Sequence, residues 1–276
     1  LKAVGILVVL LSGALLVVAT EDFPGWGDPS APASLHVSPR YIEKSLEETS
    51  VPNVVTSLLA DYRGFDTMFE TTVIFAAGWA CFILIRIFGQ EEPATTVYRH
   101  TLTGVTIRTR RGGKPVGGLQ ELERIDALWT PHDVIIRTVC RFLVPFIQLF
   151  ALYVIAHGHH SPGGGFQGGV ILGASYIVLA LSHNMKEALA RMGERVYSTF
   201  SVVGVSVYAG TGALCLLLGS NFLDYAALSH LFPVDRVAAR SLGIFLVEVG
   251  VGIAVMATMA SIYYNLSSEG KHDEGL

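Results

Sequence analysis

Six stretches of mostly apolar residues, separated by polar or glycine- and proline-rich segments, set the pattern of this chain. They run from Ala3 to Ala19, Asp66 to Phe88, Pro131 to His157, Gly168 to Leu181, Val196 to Leu218 and Leu242 to Leu266. A helix of about 20 predominantly apolar residues crosses the hydrocarbon core of a bilayer. The pattern therefore predicts an all-α integral membrane protein of about six transmembrane helices. The fourth stretch is short, which suggests a tilted, thinned or partly re-entrant element. The first, preceded by Lys2, could be mistaken for a cleavable signal, but Val18-Ala19-Thr20-Glu21 is a poor cleavage site. It is read as a retained helix.

Two spans precede a long polar segment and four follow it, a 2 + 4 arrangement. That segment contains Arg-Arg-Gly-Gly-Lys-Pro-Val-Gly-Gly at 110–118, a run of turn formers that breaks regular structure. The next span has a clear start, with Thr130 as N-cap, Pro131 at the first helical position and Asp133 in the first turn. The expected organisation is a two-helix membrane unit over 1–90, a linker over 91–130 and a four-helix unit over 131–276. A glycine-rich break separates the third and fourth helices.

Basic residues near span ends resist translocation, so their distribution predicts orientation. The loop from Gly89 to Thr130 holds Arg99, Arg108, Arg110, Arg111, Lys114 and Arg124, and is expected on the cytoplasmic side. Lys186, Arg191 and Arg195 after the fourth span fall on that side by alternation, as do both termini. Arg40, Arg63, Arg236 and Arg240 lie on outward loops and run mildly against the bias.

Composition narrows the function classes. Hydrophobic residues make up 51% of the 276, charged residues 15%, and mean hydropathy is +0.50, too apolar for a soluble domain of this length. The net charge of −4, with basic residues scattered or in loops, offers no footprint for nucleic acid. Cys81, Cys140 and Cys215 stand alone in apolar stretches and read as packing residues, because zinc and iron–sulfur sites need clustered thiolates. No nucleotide-binding glycine motif follows a strand pattern, and no redox or hydrolytic site is recognisable.

Three constellations could carry chemistry. The first is Asp61-Tyr-Arg63-Gly-Phe-Asp66-Thr67-Met-Phe-Glu70 at the entry to the second span. Asp66 and Glu70 share a helix face, and Gly64 permits a sharp break before it. A carboxylate here could handle a proton or sodium ion. Equally, Thr67-x-x-Glu70 fits a capping box, and Arg63 with Asp61 or Asp66 an interfacial ion pair. The second is Glu248, inside the sixth span among Gly243, Gly250 and Gly252. A carboxylate about 10 Å into a span should face protein or water, either as a proton carrier or as a packing and hydrogen-bonding group. The third is His157-Gly-His159-His160-Ser-Pro162-Gly163-Gly164-Gly165-Phe166-Gln167-Gly168-Gly169. With no acidic or cysteine partner nearby, a metal is not expected. The breakers point instead to unwound backbone lining a polar cavity or a subunit contact, with a plain external turn as the alternative. Arg137 and Arg141, one turn apart near the start of the third span, read as anchors or subunit contacts.

Arg137-Thr-Val-Cys-Arg141-Phe-Leu-Val-Pro145-Phe, the GHHSPGGGFQGG run and the glycine-flanked Glu248 closely resemble the B subunit of Mrp-type multisubunit sodium/proton antiporters, over residues 131–276. The same sequence type occurs in the membrane arms of energy-converting membrane-bound hydrogenases. His36-Val-Ser-Pro39, Pro52-Asn53-Val-Val and Asp61 through Glu70 resemble the carboxy-terminal end of the large A subunit, over residues 1–90. In hydrogenases that piece is a separate, small E-type chain. The two resemblances fall on either side of the linker, so the chain is read as an E–B fusion.

The resemblance implies a membrane subunit of a complex I-related, sodium- and proton-translocating assembly in the cell membrane. A hydrogenase-like or other redox-driven complex is favoured over a stand-alone antiporter because the first piece is detached from a long A subunit; a purely structural assembly subunit is the further alternative. It implies A- or D-like antiporter partners, C-, E-, F- and G-type small subunits, and a hydrogenase or other redox arm. Sodium and protons are its cargo, and any iron–sulfur or nickel–iron centres sit in partner subunits, with no cofactor in this chain. Carried over to these residues, Glu70 is the first choice for the ion path, followed by Asp66, Glu248 and Asp61. Arg63, Arg137, Arg141, His157, His159, Pro162, Gly163, Gly164, Gly165 and Phe166 would shape the path or contact neighbours. The family's driving subunits carry lysines deep in discontinuous helices; this chain has no span-centre lysine and cannot be the whole pump.

Overall fold

A computed structural model describes residues 2–88, 95–100, 102–110, 122–124, 134–268 and 270. Six of its helices are long and apolar enough to cross a membrane. Chain contacts divide it into Leu1–Ser45 and Leu46–Leu276.

In the first unit, α1 (Lys2–Ala19) is apolar on every side and buries none of its residues within the chain. An apolar stripe marks a helix with one protein neighbour, whereas an all-round apolar helix is matched to lipid or to other membrane helices. A polar stretch then leads through a π-turn at Ala33–Val37 into α2 (Ser38–Thr49), which crosses the unit boundary.

The second unit is built around α9 (Arg236–Ser267), against which α4 (Gly64–Phe88), α6 (Gly165–Ser182) and α8 (Glu194–Leu217) all pack. α5 (Val134–Ala156) packs on α6, and the short α7 (Met185–Arg191) joins α6 to α8. Its small residues explain α9's central place. Between helices in lipid there is little hydrophobic drive, so close backbone approach supplies the attraction. A Cβ on Gly169 would come within 2.7 Å of the Gly252 carbonyl, and one on Gly204 within 2.5 Å of the Ala254 nitrogen. Asp235, accepting from the Ala238 N–H at 3.2 Å, starts α9 at Arg236 rather than at the expected Leu242. Likewise α6 starts at Gly165 rather than Gly168, because its first glycines are held helical against α9 and α5 instead of breaking the chain.

The entry to α4 is irregular. α3 (Val54–Ser57) runs into a π-turn at Leu58–Tyr62, and Arg63 leaves helical geometry before α4 begins at Gly64. The disturbed backbone leaves carbonyls that a bilayer cannot solvate, and side chains satisfy them. Tyr225 donates to the Ala60 carbonyl at 2.9 Å, Tyr208 to that of Gly64 at 2.8 Å and Thr67 to that of Leu59 at 2.7 Å. The expected Thr67–Glu70 capping box is thus not formed: Thr67 already lies inside α4 and its hydroxyl serves the π-turn. Burial pushes the Tyr225 hydroxyl well above the usual tyrosine range and keeps it a donor.

Part of the expected linker is regular structure. β1 (Thr95–His100) pairs antiparallel with β2 (Thr106–Arg110) and with β3 (Leu122–Arg124), in the order β2-β1-β3. The β1–β2 turn uses Gly104 at φ +70°, a conformation glycine adopts without strain. The β-branched run Thr95-Thr96-Val97 favours a strand, a signal that the surrounding turn formers obscured. Most of the 110–118 breaker run and the helix start at Thr130, Pro131 and Asp133 lie outside the described residues.

Candidate functional site

A cavity of about 290 Å³ opens where α4, the start of α6, α8 and α9 meet. α4 supplies Thr67, Glu70 and Thr71, three and four residues apart and hence on one face. α9 supplies Glu248, α8 supplies Tyr208, and Gln167 comes from the first turn of α6. Glu70 is exposed, whereas Glu248 is 8% exposed. Glu248 accepts a hydrogen bond from the Gly165 backbone, while its Oε2 is buried without a partner. No basic side chain lines the cavity. Two carboxylates, hydroxyls and an amide around a basic-free space inside a membrane-spanning bundle suit a small cation or a proton.

The glycine-rich segment holds Glu248 in place. α5 ends at Ala156 and α6 begins at Gly165. Between them Gly163 and Gly164 take φ of +142° and +148°, which L side chains rarely adopt. A Cβ on Gly164 would collide with the Glu248 carboxylate, and one on Gly165 with the Glu248 main-chain carbonyl. The run is therefore a seat for one acidic residue, and Gly163, Gly165 and Phe166 line the same cavity.

Asn53, not singled out from the sequence for any role of its own, anchors this segment to the first half of the unit. Its Nδ2 donates to the carbonyls of Gly158 and Ser161, each at 2.8 Å, while its Oδ1 accepts from the Val55 N–H at 3.1 Å and caps α3. The Asn53 N–H also donates to the His159 carbonyl at 2.9 Å, and Thr56 to that of Gly158 at 2.9 Å. Asn53→Ala should lower stability by about 2–3 kcal/mol, from a lost cap and two buried hydrogen bonds. Hydrogen exchange at His160 and Ser161 should accelerate; unchanged exchange there would show that the clamp carries no energy.

The remaining sequence candidates sit apart from the cavity. Asp61, 8% exposed on its side chain, is engaged by Arg240 through Nη2 and, at 2.9 Å, Nε, with the guanidinium 6.0 Å from the Tyr62 ring. It ties the π-turn to α9. Asp61→Asn should cost about 3 kcal/mol by leaving a half-buried cation unpaired. A double-mutant cycle with Arg240→Gln should recover about 1–3 kcal/mol of coupling, and an additive cycle would refute the clamp. Arg63 pairs with Asp66 at the surface, its Nε at 2.6 Å, which suits an interfacial ion pair. Arg137 reaches Glu187 of α7 at 3.7 Å, and Arg141 is exposed on α5. His157 stacks on Tyr153, centroids 5.0 Å apart, and Pro162 is exposed. The His159 ring meets Phe245 edge-on at 6.0 Å, and burial holds its imidazole below the usual histidine range. Among the described residues no group of three or more His, Cys, Asp or Glu side chains converges as a metal site requires. Tyr208, Thr71 and Tyr225 were missed; a polar group at helical spacing from Glu70 was the available signal for Thr71, whereas nothing local marked the two tyrosines.

Known proteins match both halves of the chain. The family described as a domain related to the MnhB subunit of Na+/H+ antiporter matches residues 135–261. The MbhE family, described as the E-type subunit of MBH, matches residues 28–100. Relatives bearing the name antiporter subunit mnhB2, from Staphylococcus aureus strains Newman and COL, are 30% identical over 135 residues, covering 47% of this chain and 95% of theirs. Among solved structures, the membrane-bound sulfane sulfur reductase (MBS), an archaeal respiratory membrane complex, contains a chain with a TM-score of 0.58 at 23% identity, covering 96% of this chain and 97% of that one. A chain of the Mrp complex from Dietzia sp. DQ12-45-1b aligns with a TM-score of 0.51 at 24% identity, over 95% of this chain and 25% of its own length. These two structures share the fold. The chain is a multi-pass membrane protein that belongs to the MnhB-related family of antiporter-type subunits, carrying an MbhE-type segment fused ahead of it.

Proposed function

We propose that the chain contributes a cation path to a complex I-related assembly that moves sodium ions and protons across the cell membrane, with both termini on the cytoplasmic side. The observation that carries this reading is the shared cavity: Glu70 from the MbhE-type segment and Glu248 from the MnhB-type segment line one space, with an unpartnered carboxylate oxygen buried beside it. Fusion of the two segments guarantees that both halves of that cavity are made together. Glu70, at the open side, exchanges the ion, and Glu248, seated by the glycines, stabilises it or carries the proton.

The driving subunits are proposed to be A- or D-like antiporter chains, accompanied by C-, E-, F- and G-type small subunits. Separation of the MbhE-type segment from a long A chain favours a hydrogenase-like or other redox arm, whose iron–sulfur or nickel–iron centres lie outside this chain. Intact-complex mass spectrometry on gently extracted native membranes tests this. Antiporter-type subunits together with an iron–sulfur-bearing arm are expected; antiporter-type subunits alone would replace the redox-driven reading with a stand-alone exchanger.

A further inference from the structure

A second polar niche lies further along the seam that holds the cavity. Gly78 and Phe82 of α4, Ser198 and Ser201 of α8, and Thr258 and Ser261 of α9 enclose a pocket of about 10 Å³, room for one water molecule. Seven residues separate Thr71 from Gly78 on α4, and Val251 from Thr258 on α9, which places the niche about 10 Å along both helices from the first cavity. Val255, 1% exposed, and Ile74, packed on the same cluster, fill the interval.

The niche contains an unanswered polar atom. Thr258 is 2% exposed and its Oγ1 has no hydrogen-bond partner. A buried hydroxyl left that way costs about 1–3 kcal/mol. One turn on, Ser261 lies beside Tyr197, whose hydroxyl accepts from Asn265 Nδ2 at 3.3 Å; the Asn265 Oδ1 is likewise buried and unpartnered. Past these groups, Arg86 lies over the Phe82 ring at 4.1 Å and pairs with Glu194 at 2.8 Å, where α4 ends and α8 begins.

We propose that this niche holds a buried water that joins Thr258 to Ser261, Tyr197 and Asn265, forming the inner end of a proton relay that opens at the Arg86–Glu194 pair. The chemistry selects water over a cation, because no carboxylate lines the pocket to offset the desolvation of a charge. Apolar occupants would leave Thr258 unsatisfied. In the relay each hydroxyl or water takes a proton on one lone pair as it releases its own onward, so the file ends chemically unchanged. The water stands on geometry alone, while its use as a relay rests on the proposed proton transport.

Radiolytic hydroxyl labelling of the intact complex reads the water directly, since a bound water lets a buried neighbour react. Tyr197, 1% exposed, should be oxidised in the wild type and in Thr258→Ser, and about tenfold less in Thr258→Val, which keeps the shape but loses the hydroxyl. An unlabelled wild-type Tyr197, or equal labelling in Thr258→Val, would overturn the water. In vesicles holding the complex, Thr258→Val should slow proton uptake about tenfold with Thr258→Ser restoring it. Wild-type uptake in an assembled Thr258→Val complex would overturn the relay. Failure of the transport reading shows elsewhere, as wild-type transport in Glu70→Gln, and leaves the labelling result standing.

Discussion

Replacing Glu70 by glutamine is expected to abolish sodium-dependent proton movement while leaving the complex assembled. Glutamine keeps the size and removes the charge at the open side of the cavity. Outside that cavity Glu70 has no ion pair among the described residues, so little of the fold depends on its charge. In a low-dielectric bundle, one lost carboxylate ligand is worth about 3 kcal/mol or more, which lowers the rate at least about a hundredfold. Sodium-driven acidification in vesicles, with native gels to confirm assembly, measures it. Full transport in an assembled Glu70→Gln complex would remove this residue from the ion path and favour an assembly role for the chain.

Gly165→Ala should be the most damaging of the small substitutions in the fold. Its Cβ would meet the Glu248 main-chain carbonyl, and neither backbone can yield without moving α6 off α9. Overpacking a tight core costs about 1–3 kcal/mol, and a backbone collision sits at or above the top of that range. Gly210→Ala is the matched control. Nothing lies within 4 Å of a Cβ there, so the helix should gain up to about 1 kcal/mol. Thermal unfolding in detergent should separate the two variants clearly; similar melting temperatures would mean that α6 and α9 can part without loss.

The interior of the fold was less legible than its outline, and particular residues show why. Glu248 announced itself because a carboxylate deep in an apolar span is costly, and the glycines before α6 because breakers are rare at membrane depth. That those glycines exist to seat Glu248 could not be read from either, because the two segments are distant in the chain. Asp61 was equally plausible as an ion ligand or a structural anion until Arg240, 179 positions away, proved to bind it. The capping box at Thr67 was a reasonable local reading that failed because the π-turn before it claims the same hydroxyl.

What the sequence by itself determined was the membrane class, the six spans with their approximate bounds, the two family resemblances and the acidic residues worth testing. These depend on local hydropathy and on motifs, and each is complete within a short window of chain. Only the tertiary structure decided that Glu70 and Glu248 share a cavity, that Asp61 is committed to Arg240, and that Asn53 and the two buried tyrosines hold the broken helix. Close packing along glycine-lined helices brings those groups together, and packing is a relation between distant segments that no local pattern encodes.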